Sequence, residues 1–454
     1  MFNSIKILKY TITPEELAQA FLREYFGEEK AVYPLNPFEM LKKVGVPFSF
    51  RNFEKYEGVY LQVDNDGPAV VGINANRPIT RQRFTAAHEL CHHIKDAGQD
   101  ISCLIAGKKN KIERYAEDFA AAILMPINEL IHQVKRFDEN GYVSFESVLR
   151  IANYFGVSFE SCLYRIAYRL HKIEGDTSAV KLKKRIAAFK PKIKCQQLGL
   201  NDLKLYEQLF DTNAVSLFFE PTEFAKRKFQ TEYIFNDSRL EGVDVDKEMV
   251  SEIVTDLKLK KQESEYCNFT NKNVIEVAGL TAVYNEVFQM SRNREISVFD
   301  TLDLHRTLYC YAPYPEGTGH FRNTNNIVSE AKFETVDKDD IFYEFVLIDE
   351  KVKKLLEDSE KISTSEYIER VLDIHYKLTT IHPFADGNGR ISRAFLNLLF
   401  LKNNIPPIFF TDNNKNEYKN ALKEIDTKNN KDTFYEIAFR RIIEANSKLM
   451  KFII

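Results

Sequence analysis

The chain reads as a multidomain α+β protein, with a small mixed α+β domain first and a mainly α-helical domain after it. Three observations predict this. In residues 1–80, stretches of helical periodicity alternate with short β-type runs. From Thr222 onward the apolar residues recur mainly at helical spacing. Between the two, residues 181–194 are basic and broken by Pro191, as in a solvated connector. The domains are expected at residues 1–180 and 205–454, with a linker at 181–204. The length of 454 residues suits three domains of ordinary size or two larger ones.

Composition narrows the class. Residues are 44% hydrophobic, with 35 Phe and 22 Tyr, enough for sizeable cores. The formal net charge of −3 supplies no bulk attraction to nucleic acid or anionic lipid. No window approaches the roughly 20 apolar residues that span a bilayer, and Met1 to Leu17 holds no long apolar run. The six cysteines are scattered without a CxxC pair, which reads as reduced thiols in a cytoplasm.

In the first domain, Pro14 sits in the first turn of an amphipathic helix through Phe26, and a second helix follows Asn36-Pro37. Val59–Val63 and Ala69–Ile73 read as strands around the turn Asp64-Asn65-Asp66-Gly67. Next comes Arg83-Phe84-Thr85-Ala86-Ala87-His88-Glu89-Leu90-Cys91-His92-His93. On a helix, His88 and His92 share a face and can reach one Zn²⁺, while Glu89 is turned toward a metal-bound water. The next helix, Ile112 to Pro126, carries Glu113 near its start as a third ligand.

Together these segments resemble the ImmA/IrrE metallopeptidase family, which pairs an RFTxAHELGH helix with an ExxANxFAAxLLMP helix. The resemblance covers about residues 15–170 and implies a small zincin-like α+β domain. It makes His88, His92 and Glu113 zinc ligands and Glu89 the base. Cys91 stands where the family usually has Gly, and Glu117 where it usually has Asn. His93 is a stray candidate ligand beside them. Residues 144–170 form two helices around Phe155-Gly156-Val157-Ser158. The second is poor in base-reading side chains, so a closing helical hairpin is expected rather than a DNA reader.

The second domain is organised around His382-Pro383-Phe384-Ala385-Asp386-Gly387-Asn388-Gly389-Arg390. Gly387-Asn388-Gly389 can turn successive N–H groups inward as an anion nest. The helical pattern of Ile391–Phe400 puts that nest at a helix N-terminus, where phosphate is favoured. Arg390 and Arg393 add charge with bidentate geometry, Asp386 can hold Mg²⁺ on phosphate oxygens, and His382 can take a proton from a hydroxyl.

The stretch resembles the HPFx[D/E]GNGRxxR motif of the Fic (Fido) family without a mismatch. Members of that family mostly transfer AMP from ATP to a protein hydroxyl. The resemblance spans about residues 205–445. It makes His382 the general base and Asp386 the Mg²⁺ ligand. Gly387, Asn388, Gly389 and Arg390 become the phosphate cradle, and Arg393 the contact to the γ-phosphate. Phe235 to Gly242 ends a helix and resembles the family's inhibitory [S/T]xxxE[G/N] motif, pairing Glu241 with Arg393; Asp237 stands where the Ser or Thr is expected. Residues 316–328 resemble the flap β-hairpin that holds the target protein by strand addition. Glu417 to Leu422 resembles a late EYYxAL helix, with Lys419 in place of the second aromatic. His305 reads as a packed core residue.

The expected function is protein adenylylation with Mg²⁺–ATP, restrained by Glu241 and linked to a zinc-dependent peptidase domain. Two alternatives stay open: a zinc peptidase acting on a regulatory protein with the Fic domain as regulator, and a toxin–antitoxin-type binding module. Neither membrane nor nucleic acid is expected as a partner. The sequence leaves open a homodimer, whether Glu241 acts in its own chain or across such a dimer, other nucleotides and removal of AMP.

Overall fold

Thr13 opens the first helix with a reciprocal capping box to Glu16, and Pro14 fills the first turn. In this computed structural model the described residues are all except 1–11, 63–67, 97–100, 105–109, 213–221, 260–270, 294, 313–316, 326–334 and 450–454. Two compact units divide the chain, Met1–Ser216 and Leu217–Ile454.

The first unit begins with α1 (Pro14–Phe26) and α2 (Pro37–Lys43), the latter capped by the Asn36 side chain. Four strands follow in part: β1 (Phe48–Arg51), β2 (Tyr56–Gln62) and β3 (Ala69–Asn74), then, after α3 (Ile79–Lys95), β4 (Ile101–Leu104). The sheet order is β1-β3-β2-β4. β1 lies parallel to β3, and β2 runs antiparallel to both its neighbours, with an irregularity between Tyr56 and Gly58. Sequence periodicity had shown only β2 and β3, because four-residue strands carry too little alternation. The expected turn at 64–67 lies outside the described residues.

Helix α3 lies on β2 and β3, and α4 (Lys111–Leu124) packs against it. Then come α5 (Ile127–Arg136), α6 (Phe145–Phe155) and α7 (Phe159–Arg165). The α6–α7 turn uses Gly156 in the left-handed region, φ +63°, where a Cβ would also meet Leu205 at 2.5 Å.

Two features mark the boundary. The basic run 181–194 is helical, in α8 (Ala179–Phe189) and α9 (Pro191–Gln197). It is anchored by buried Leu182 and by Phe189, whose ring lies 5.3 Å from Phe159 and 5.4 Å from Phe145. Helix α10 (Leu203–Phe210), expected in the second domain, belongs to the first unit. The cause is Arg83, a fully buried cation on α3. It donates to the carbonyls of Gly156 (3.1 Å) and Leu35 (2.5 Å) and to Oε1 of Gln208 on α10 (3.0 Å). A buried guanidinium left unpaired costs several kcal/mol, so these acceptors are held together.

The second unit is helical among its described residues: α11 (Glu223–Leu240), α12 (Lys247–Leu259), α13 (Lys272–Asn293), α14 (Asp300–Leu308), α15 (Ile341–Asp358), α16 (Thr364–Ile381), α17 (Asn388–Lys402), α18 (Lys415–Lys428) and α19 (Asp432–Leu449). Helix α17 is buried along nearly its whole length and packs against α13, α14 and α16. Its N-terminus is therefore held from several sides. Of the expected flap, 317–325 is turn and irregular chain, and the rest lies outside the described residues. No described helix is long and apolar enough to cross a membrane.

Candidate functional sites

On α3, His88 and His92 sit one turn apart with their Nε2 atoms 3.1 Å from each other. Glu113, from the first turn of α4, places Oε2 3.2 Å from His88 Nε2 and Oε1 3.7 Å from His92 Nε2. A tetrahedral Zn²⁺ with bonds of about 2.0–2.2 Å needs its donors about 3.3–3.6 Å apart, so this donor set fits the ion. The Asp96 carboxylate lies 2.9 Å from His92 Nδ1, which keeps the proton there and Nε2 free to ligate. Burial lowers the His88 pKa, favouring its neutral, ligating form.

Glu89 is the unusual member. It is fully buried, and neither carboxylate oxygen has a hydrogen-bond partner. Burial, then the charge of Glu113, pushes its pKa well up. Its carboxylate lies against Gly58 of β2, where a Cβ would come 2.3 Å from Oε1. An orphaned buried carboxylate beside a three-ligand cluster matches a base awaiting a polar partner. Cys91 is buried with its thiol pushed well up by burial, which suits packing rather than ligation. His93 turns away, with Nδ1 3.1 Å from the Tyr60 hydroxyl.

In the second unit α16 ends at His382, which adopts φ +53°, and α17 starts after Gly387 at φ +77°. The intervening turn is held internally. The Asn388 amide donates to Phe384 O (2.7 Å) and accepts from Phe384 N (2.8 Å). The Asn388 side chain thus staples the loop, leaving its backbone as the group at the helix start. The loop is also held by residues outside it. Arg322 donates from Nε to His382 O and from its own N–H to Pro383 O, both at 2.8 Å. His305, stacked on Phe384 at 4.0 Å, accepts from Gly319 N–H at Nδ1 (2.8 Å), so its Nε2–H donates to Asp386 O (3.1 Å). His305 is buried as expected, but it also sets the loop's conformation.

Burial, then the charge of Arg322, lowers the His382 pKa and favours the free base. The Asp386 side chain is 77% exposed, open to a cation, while Oδ2 accepts from Tyr309 (2.9 Å). Arg390 is held by Glu276 of α13, by the Tyr309 hydroxyl (3.1 Å) and at 3.4 Å by Asp386. Sequence reasoning missed Glu276 and Tyr309. The only signal for Glu276 was one acid among the apolar residues Val274, Ile275, Val277 and Ala278.

Arg393 is gripped twice from the end of α11. Its Nη2 donates to Glu241 Oε1 and its Nε to Asp237 Oδ1, each at 2.5 Å. Burial would raise the Glu241 pKa, but the Arg393 charge and hydrogen bond outweigh it and hold the carboxylate ionised. Glu241 Oε1 also lies 2.9 Å from where a Gly389 Cβ would be, at the first turn of α17. A carboxylate therefore stands at the helix N-terminus, where an anion is favoured.

The family profile described as IrrE N-terminal-like domain matches residues 41–167, and that of the Fic/DOC family matches residues 295–400. Among curated proteins, the adenylyltransferase fic-1 of Caenorhabditis elegans is 35% identical over 130 residues, 28% of this chain and 24% of that protein. The adenylyltransferase Fic of Drosophila erecta is 33% identical over 129 residues, 28% and 24% of the two chains. The matched segment thus spans about a quarter of the length of these relatives. Among solved structures, Fic-1 of C. elegans aligns over 76% of this chain and 88% of its own, at 18% identity and a TM-score of 0.42. A Fic domain containing signaling protein of Bacteroides thetaiotaomicron aligns over 50% and 87%, at 21% identity and a TM-score of 0.42. The chain joins an IrrE-like domain to a C-terminal Fic domain.

Proposed function

We propose that the second unit transfers AMP from Mg²⁺–ATP to a Ser, Thr or Tyr hydroxyl of a protein, and that Glu241 restrains it. One observation carries this reading. An imidazole held toward its neutral form, an exposed carboxylate and a helix N-terminus converge in one braced loop, and a carboxylate already stands at that terminus. The nucleotide's phosphates would lie over Gly387, Asn388 and Gly389, with Mg²⁺ on Asp386, Arg390 near the cradle and Arg393 on the γ-phosphate. His382 takes the proton as the hydroxyl oxygen bonds to the α-phosphorus and the bond to pyrophosphate breaks. The described part of the expected flap, 317–325, would contact the target protein. The Glu241–Arg393 contact forms within one chain, which supports restraint in cis. The test is mass spectrometry of the purified protein after incubation with Mg²⁺–ATP. An added AMP moiety, absent in His382→Ala, is the expected result; equal labelling of both proteins would refute the base role.

The first unit supports a second activity, zinc-dependent peptide hydrolysis. When bound, Zn²⁺ would lower the pKa of a water molecule and polarise a carbonyl. His88, His92 and Glu113 would hold it, and Glu89 would accept a proton at its unpartnered carboxylate. Metal analysis should find about one zinc per chain, lost in His88→Ala/His92→Ala. Zinc retained in the double variant would place it elsewhere.

A further inference from the structure

The two carboxylates on Arg393 are not equivalent. Glu241 reaches Nη2 from the solvent side, with its side chain 36% exposed, and its Oε1 abuts Gly389 at the start of α17. Asp237 reaches Nε from the interior, with its side chain 3% exposed. Its second oxygen is buried with no hydrogen-bond partner, so nothing else in the site holds it. Nη1 of Arg393 faces the loop, 2.9 Å from where a Gly389 Cβ would be. One acid therefore occupies the anion position, and the other stands behind the guanidinium.

We infer that Asp237 is a positioning residue for nucleotide transfer and not a second lock. When Glu241 withdraws, Asp237 keeps the guanidinium aimed at the helix start, so Arg393 meets the terminal phosphate without reorganising. A phosphate at Glu241's place does not displace Asp237, because Nε and Nη2 are separate donors of one planar fork. Asp237 lies on the last turn of α11, and Glu241, four residues on, is the residue that caps it. Restraint and alignment thus come from the same helix end, and release needs the Glu241 side chain alone to move.

This rests on the nucleotide-transfer reading, and the test separates the two. In full-length protein carrying Glu241→Gly, Asp237 is changed to Asn, which keeps its shape, and to Ala. Calorimetry with Mg²⁺–ATP and with Mg²⁺–ADP is set beside transfer from α-labelled ATP. Asp237→Ala should weaken ATP affinity and raise KM roughly tenfold, the scale of one lost charge-assisted contact, with ADP affinity unchanged and Asn intermediate. In protein that keeps Glu241, Asp237→Asn should not raise transfer above that of the unaltered chain. Equal losses for ATP and ADP would mean mere structural damage and overturn the inference. So would unchanged ATP affinity, or activation by Asp237→Asn while Glu241 is present. If Glu241→Gly protein transfers nothing, the parent reading fails, while the ATP-over-ADP difference still reports on Asp237.

Discussion

Replacing Glu241 by Gly should release the second unit by an amount that the geometry sets. The substitution removes one charge-assisted hydrogen bond to Arg393, an interaction of about 1.5–3 kcal/mol when well buried. The Glu241 side chain is 36% exposed, so solvent screening reduces this to about 1–2 kcal/mol. On the proposed function the carboxylate takes the place of a phosphate oxygen, and that energy is what ATP must overcome to enter. The competent fraction then rises by about 5- to 30-fold. Glycine at the helix end costs only about 0.5 kcal/mol in backbone entropy, too little to change the folded fraction. The assay is initial-rate transfer from α-labelled ATP to protein at ATP well below KM. The expected result is a rate gain of that size, an apparent KM for ATP lowered by the same factor, and a smaller gain at saturation. A variant whose KM equals that of the unaltered chain would refute the competition argument. Adding His382→Ala should return labelling to background.

Three further outcomes follow from the same structure. With its pKa lowered by burial and Arg322, His382 should stay a free base below the ordinary histidine range. Transfer by Glu241→Gly protein should therefore hold steady from pH 8 down through about 6.5 and fall only below it; a midpoint above that value would contradict the shift. Burial lowers both His305 and His375, a buried residue of α16, to about 4, so between about 6.5 and 4 the unfolded chain binds more protons than the folded one. Stability is fully present above that window and is lost as pH falls through it, by up to about 3 kcal/mol per histidine. Chemical unfolding of the second unit as a function of pH measures this, and a flat profile would count against it. In the first unit, Gly58→Ala would put a Cβ 2.3 Å from Glu89 Oε1 and 2.4 Å from Thr85 Cγ2. Such overpacking costs about 1–3 kcal/mol, so Tm should fall and zinc retention weaken; an unchanged Tm would show that β2 can move away from α3.

Much of each site was legible because its chemistry is local. His88 and His92 are one helical turn apart, so a helix places them together whatever the rest of the chain does. The turn from His382 to Asn388 is closed by a bond between its own residues, Asn388 to Phe384. Periodicity marked the second unit as mainly helical, but it could not assign α10 to a unit. Its amphipathic face says that it is buried, not what covers it; Gln208 bonding to Arg83 decides that.

From residue order alone came the loop, the spacing of His88 and His92, the glycine positions and the division into an α+β part and a helical part. Each is a property of neighbours within a turn or two of chain. Only the tertiary structure brought Glu276 to Arg390, 114 residues away, and Asp237 to Arg393, 156 residues away. It also set His305 between Gly319 and Asp386. Such partners are selected by the cost of burying an unpaired charge or ring nitrogen, and that cost exists only once the helices have packed.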